Sequence, residues 1–320
     1  MRIFACLFVV LVHAASIFSV WGQEIPVFLT PVKMLADTGD VIFMSVSAYL
    51  LFIKEFTWAD NVRKKVRTIL VPLIFWNLFW MIVETAAHMI MPGMFDNAFA
   101  GGWRILAGFT GIPFYLDPYY VPFWFLCDLF ALNLLAPLFR RASEKAWPLV
   151  LTAAAVLWLS PLHYRIRIPF AFFALGCVLA EQEALREGLK KLPVTAVSAA
   201  GIGMGVLCMF VHSEILYRCG IVIMMAAVFR VCLLIEQKST QDRFRAWMPY
   251  TMIVYALHGK VLMLLQRVYA ALIPYSVLSG ILGYFLTAAA AALISVVCGM
   301  LLRKLLPRVF ALSTGGRVQY

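Results

Sequence analysis

Charge is scarce in this chain. Only 13% of its 320 residues are Asp, Glu, Lys or Arg, and the acidic ones number 16. A soluble domain is about a quarter charged, so a soluble globular enzyme is excluded. A disordered chain needs high charge and low hydrophobicity, and a nucleic-acid-binding domain needs a solvated basic face; both are excluded too. No two of the seven cysteines form a CxxC pair, and most sit inside apolar runs. They read as small packing residues, neither a disulfide framework nor a zinc site. No nucleophile elbow, Walker sequence, HExxH or Gly-rich dinucleotide loop occurs, so metal chemistry and phosphate loops of those kinds are not expected. There is no linker, low-complexity tract or internal repeat.

What fills the chain instead is apolar. Hydrophobic residues make up 63%, and mean hydropathy is +0.89. A membrane-crossing helix takes about 20 mostly apolar residues. Such runs fall at about 3–21, 34–53, 68–90, 119–139, 147–160, 168–181, 193–211, 216–236, 248–270 and 277–302. The expectation is an all-α polytopic integral membrane protein with about ten spans in one bundle. Helices are the economical spanning element, because they satisfy their own backbone groups. The membrane domain would cover 1–305, with 306–320 as a cytoplasmic tail. A signal-peptide reading of the first run is disfavoured by the His inside it.

The net charge of +11 comes from short basic loops, which suits membrane orientation better than nucleic acid. With the N-terminus in the cytoplasm, the basic groups around 54–67, 140–145, 186–191, 238–245 and 303–317 lie inside. Only Lys33, Arg104, Arg165, Arg167 and Arg218 lie outside. Both termini are therefore expected in the cytoplasm. The longest outer loop, about 91–118, is rich in Gly, Pro and aromatics. It could cover a site, but an aromatic belt on the bilayer surface is the simpler reading.

Polar groups inside a bilayer are costly and each needs an account. Arg2 and His13 are eleven positions apart, within about 20° of whole helical turns, with a rise of roughly 16 Å between them. They share a face, one at the interface and one near mid-membrane. A neutral imidazole there can take a proton from a hydroxyl. On spacing alone the favoured reading is a core His bonded to a neighbouring helix, with Arg2 as a topology signal. The cluster Arg63-Lys64-Lys65-Val66-Arg67 sits just before the third run and either binds phosphates or holds its loop inside. Glu84 and His88 are four apart on one face; they either position an acceptor or bond to each other. Asp128, His258, Lys260 and Arg230 are deep, and Asp128 and Lys260 are at similar depth and expected to pair. Asp37 and Asp40 are expected to cap the second helix at its start.

Four ordered stretches carry a family likeness. Arg2 through His13 is similar to an R-x10-H signature. Phe43-Met44-Ser45-Val46-Ser47-Ala48-Tyr49-Leu50-Leu51 is similar to an FF-x-x-SGYLL segment. Arg63 to Arg67 with Pro72 is similar to an RRxxR element. Pro122-Phe123-Trp124-Phe125-Leu126-Cys127-Asp128-Leu129 is similar to PLWFxRDL. Phe172-Phe173-Ala174-Leu175-Gly176 and Tyr255-Ala256-Leu257-His258 are fainter echoes. Together they resemble membrane acyltransferase family 3. Ala48, Lys64 and Cys127 depart from its pattern.

The resemblance implies an O-acyltransferase of the bacterial cytoplasmic membrane. It implies acyl-CoA, acetyl-CoA above all, as donor, and a glycan or lipid-linked saccharide as acceptor. Membrane lipid and proteins of glycan synthesis are the implied surroundings. His13 becomes the catalytic base, with Arg2 beside it, and Arg63, Lys64 and Arg67 become contacts for the CoA phosphates. Glu84, His88, Asp128, His258 and Lys260 become acceptor or supporting residues; no metal is implied. Two other classes compete: a secondary carrier of glycans or small anions that uses Asp128, Lys260 and Arg230, and a non-catalytic partner of a glycan synthase, which would tolerate loss of His13.

Overall fold

The computed structural model describes residues 1–91, 97–100, 104–237 and 246–316. It is an all-α polytopic membrane protein; among the described residues there is no strand, only an isolated bridge between Ile112 and Leu116. The first span is α1 (Arg2–Ala14) followed by α2 (Ser16–Val20). Then come α3 (Thr30–Phe52), α4 (Trp58–Lys65), α5 (Val71–Ile90), α6 (Arg104–Thr110), α7 (Trp124–Leu134) and α8 (Ala136–Leu159). The second half holds α9 (Tyr164–Glu181), α10 (Glu183–Lys191), α11 (Val194–Phe210) and α12 (Glu214–Gln237). The chain ends with α13 (Thr251–Leu272), α14 (Val277–Leu305) and α15 (Pro307–Thr314).

The count of crossings differs from ten. Among the described residues six helical stretches are long and apolar enough to cross alone, or eight if each of two bent pairs makes one span. The bent pairs are Val121–Leu134 with Ala136–Leu159, at 65°, and Tyr164–Glu181 with Glu183–Lys191, at 99°. The expected runs 119–139 and 147–160 both belong to the first pair. Hydropathy treats each apolar run as a straight rod, whereas proline breaks them elsewhere. Pro137 has no N–H to give the Asn133 carbonyl, so the chain turns at Leu135. The side chains of α4 satisfy the carbonyls at the break: Asn61 Nδ2 donates to Asn133 O at 3.3 Å and Trp58 Nε1 to Leu134 O at 3.0 Å. A second break, at Ala146 ahead of Pro148, lies inside α8. The run at 193–211 is α11, an apolar helix whose 17 residues fall short of the length counted as a crossing.

Two other expectations shift. The basic cluster does not precede its helix. Residues Trp58–Ile90 form one continuous helical stretch, with a π turn at Val66–Leu70 immediately before Pro72. The wider turn absorbs the donor that Pro72 lacks. Asp37 and Asp40 do not cap a helix start, because α3 begins at Thr30 with Pro31 in its first turn. They lie two turns or more inside it.

Small residues let α9 approach α3 closely. A side chain at Gly176 of α9 would collide with the Ser45 carbonyl of α3 and come 2.8 Å from Ala48 Cβ. Close backbone approach through small residues is a common packing device in membranes. A main core forms around α3, α5, α7 and α9, including Phe123, Leu132 and Phe173. A second, of Ile17, Phe18, Leu262 and Tyr284, joins α2, α13 and α14.

The described contacts sort the bundle into two ends. Cys6 of α1 meets the Thr251 carbonyl at the start of α13, Tyr250 meets Arg303 at the end of α14, and Arg140 meets Glu55 and Glu181. The segment 307–314 is no loose tail: α15 packs back on α5, with Trp76 Nε1 donating to Ser313 O at 3.0 Å. Gly316 lies against the Arg67 guanidinium. The N-terminus and the basic cluster thus share one end. Of the loop 91–118, residues 92–96 and 101–103 lie outside the described residues. Its remainder folds onto the bundle through a tight turn, where Gly111 takes φ +72° beside Pro118.

Candidate active site: a histidine pair beside a cavity

His13 lies in the last turn of α1. Helix α13 runs alongside in the same direction, so that Cys6 meets Thr251, His13 meets His258, and Ala14 meets Gln266. The two imidazole rings stand 5.1 Å apart between centroids, tilted by 48°. His258 is wholly buried. Its Nδ1 faces the carbonyls of Tyr255 at 2.8 Å and Val254 at 3.1 Å. Both partners only accept, so Nδ1 carries the proton and donates. In the neutral ring Nε2 is then a bare acceptor, and it has no hydrogen-bond partner.

Aromatic residues hold this stretch of α13 in place. Trp80 Nε1 donates to Ala256 O at 3.0 Å, and the Tyr255 hydroxyl donates to Pro122 O. The Gly259 N–H donates to the Tyr120 hydroxyl at 2.9 Å. A Cβ at position 259 would run into that hydroxyl and force the Tyr120 side chain to shift. Tyr120 is itself anchored by its N–H to Asn77 Oδ1 at 2.8 Å.

A cavity of about 370 Å³ opens beside His13. It is lined by Ser16, Ser19 and Val20 of α2 and by Gly259, Leu262, Met263, Gln266 and Arg267 of α13. All but Gly259 lie beyond the histidines from the N-terminal end, so the cavity runs away from the basic cluster. Gln266 ties its wall together, donating to Ala14 O at 2.9 Å and accepting from Ser16 Oγ at 2.7 Å. Gln266 and Ser16 are functional candidates that hydropathy passes over. The signal was available: His258, Leu262 and Gln266 follow a four-residue step and share a face.

The other expected residues divide. Arg2 opens α1, but its side chain lies outside the described residues. Arg63, Lys64 and Arg67 are exposed on α4 and its π turn. Asp128 and Lys260 do not pair. Asp128 takes two bonds from the Arg165 guanidinium, at 2.7 and 3.2 Å, and one from the Phe114 N–H at 2.7 Å. Arg165 also reaches Asp117 at 3.1 Å. This buried cluster pins the 111–118 turn to α7 and α9. Lys260 pairs instead with Glu84 of α5. Glu84's second oxygen accepts from the Tyr119 hydroxyl at 2.8 Å. Glu84 is therefore committed to Lys260 and Tyr119, with His88 one turn further along α5. Arg230 is not deep: it lies near the end of α12 and donates to the Leu192 carbonyl. No group of three or more His, Cys, Asp or Glu among the described residues could hold a metal ion.

Apolar helices around an imidazole pair, one ring of it wholly buried, with a cavity of mixed lining beyond it and a basic rim at the opposite end, define an integral membrane protein. The family model described as an acyltransferase domain, that of acyltransferase family 3, matches residues 1–302, and the chain belongs to that family. It is a membrane acyltransferase. Neither the curated proteins nor the solved structures compared with it give a match.

Proposed function

We propose that the protein moves an acetyl group from cytoplasmic acetyl-CoA to a hydroxyl of a cell-envelope glycan or lipid-linked saccharide. The observation that carries this reading is the His13–His258 pair at the inner end of a cavity. The basic end, with Arg63, Lys64 and Arg67, takes the CoA phosphates and faces the cytoplasm of a bacterial inner membrane, as do both termini. The pantetheine arm runs along α1 toward His13. The acceptor enters by the cavity on the other side.

His13 removes the proton from the acceptor hydroxyl as its oxygen attacks the thioester carbonyl. The carbon–sulfur bond breaks, and the imidazolium returns the proton to the CoA thiolate. His258 is a positioning residue in this scheme. Its bare Nε2 offers an acceptor for the second nitrogen of His13 as that ring becomes charged. Asp128 and Lys260, the groups a carrier would use, are engaged in ion pairs with Arg165 and Glu84.

The test supplies purified protein in vesicles with labelled acetyl-CoA and weighs the glycan. Wild type adds the acetyl mass. His13→Ala folds but adds none, and an unchanged increment would rule His13 out as the base. His258→Asn keeps the KM for acetyl-CoA and lowers kcat by about 10²-fold, the scale of one proton-transfer partner. Arg63→Ala and Arg67→Ala weaken acetyl-CoA binding. Glycan that crosses the membrane while the label stays on CoA would favour a carrier.

A further inference from the structure

A second cavity, of about 390 Å³, lies between α3, α8, α9 and α12, away from the histidine pair. Three helices turn one polar face into it: Lys33, Asp37 and Asp40 of α3, Tyr164 and Arg167 of α9, and Glu214, Tyr217 and Arg218 of α12. The spacings are three and four residues, so each set shares a face. Trp158 of α8 closes the wall.

The charges in this wall do not all cancel each other. Lys33 bonds Asp37 at 2.8 Å, and the Tyr217 hydroxyl donates to the same carboxylate at 2.7 Å. Arg218 pairs with Glu214 and donates to the Trp158 carbonyl at 3.2 Å. Arg218 Nε is nonetheless buried without a hydrogen-bond partner, and two further residues, Arg167 and Asp40, are less well served. Arg167 stacks over Trp158 at 5.3 Å and reaches Glu214 only at 3.6 Å. Its Nε and Nη1 are buried without a hydrogen-bond partner. Asp40 has no ion pair or hydrogen bond among the described residues. A buried donor left unmade is costly, and Asp40, half-buried, turns its carboxylate to the same cavity.

One unsatisfied cation and one unsatisfied anion in a cavity of this size call for a ligand carrying both signs. We propose that this cavity binds a phosphoamine, a phosphate ester bearing a primary ammonium. The phosphate oxygens accept from Nε and Nη1 of Arg167, a charge-assisted geometry that guanidinium favours. The ammonium donates to Asp40, with the rings of Tyr164 and Tyr217 as apolar walls that also attract a cation. The cavity volume lies within the range of small-molecule sites. Both a zwitterionic phospholipid headgroup and a free or saccharide-borne phosphoethanolamine have this chemistry.

The site is tested by binding, independently of acyl transfer. Purified protein in detergent is titrated with O-phosphoethanolamine, inorganic phosphate and ethanolamine, and its melting temperature is followed. Separately, protein from vesicles of phosphatidylethanolamine or of phosphatidylglycerol is released into native mass spectrometry, and retained lipid is counted. In wild type, O-phosphoethanolamine raises the melting temperature and each half-molecule alone does little. Arg167→Gln weakens that response about tenfold or more, the scale of a lost charge-assisted bond, and Arg167→Lys restores part of it. Asp40→Asn removes the preference for phosphoethanolamine over phosphate. Retention of phosphatidylethanolamine over phosphatidylglycerol, lost in Arg167→Gln, assigns the lipid source; a response to the soluble probe alone assigns the free one. If neither probe binds wild type, or if binding is equal in Arg167→Gln, Arg167→Lys and wild type, the proposal is overturned, and the acyl-transfer reading stands or falls separately.

Discussion

At the residue scale, the deep ionisable groups have opposite surroundings that burial alone does not separate. His258 and Asp128 are both wholly buried. His258 keeps one nitrogen unpartnered beside a second imidazole, which is what a proton-handling group needs. Asp128 has its carboxylate filled by Arg165 and the Phe114 N–H, which is what a structural pin needs. Removing one member of a buried pair leaves the other charge stranded. Asp128→Asn is therefore expected to cost about 3–5 kcal/mol of stability, read as a lower midpoint in thermal or detergent unfolding. Acyl transfer per folded molecule stays near wild type. A variant of normal stability and no activity would move Asp128 from scaffold to chemistry. The depth of both residues was legible in the sequence, because each interrupts an apolar run. Their partners were not. Arg165 belongs by its position to an outer loop, and its return to Asp128 depends on how α9 packs on α7.

Among elements, the informative feature is the break between α7 and α8. Apolar runs gave the helices themselves, since hydropathy measures what a bilayer selects. It is blind to direction, so two runs that form one bent pair were read as two rods. Pro137 was visible; what was not visible is that Trp58 and Asn61, from a different helix, receive the carbonyls that the break exposes. In a bilayer such groups have no water to turn to. Asn61 is buried, with 4% exposure. Asn61→Leu keeps the side-chain size but leaves the Asn133 carbonyl without its donor. The expected loss is about 1–3 kcal/mol, measured by unfolding midpoint. Asn61→Gln, which retains a donor, recovers part of it. No loss in Asn61→Leu would mean that water or a backbone rearrangement serves that carbonyl instead.

For the whole molecule, the question is how many times the chain crosses and which end faces the cytoplasm. The basic residues gather at one end, where the N-terminus, α4, α10 and the junction of α14 with α15 meet. Lipid asymmetry and the translocation machinery favour retaining Lys and Arg in the cytoplasm. Whether α11 crosses decides the parity of the path. At 1.5 Å per residue its 17 residues span about 25 Å, slightly under a hydrocarbon core of about 30 Å. It packs along α12, with Gly201 against Met224, and at its far half Gly205 meets Pro31 at the start of α3. Those contacts run the helix from the end that holds Lys191 to the end that holds Lys33. Single cysteines placed at Lys191 and His212, in a background with the native cysteines replaced, are expected to react on opposite sides of the membrane. Lys191→Cys should be blocked from a membrane-impermeant maleimide in intact cells and labelled only in inverted vesicles; His212→Cys should show the reverse. Labelling of both positions from one side would make α11 a helix that enters and returns. It would put the phosphoamine cavity, the acceptor cavity and the basic rim into a different relation to the two faces of the bilayer.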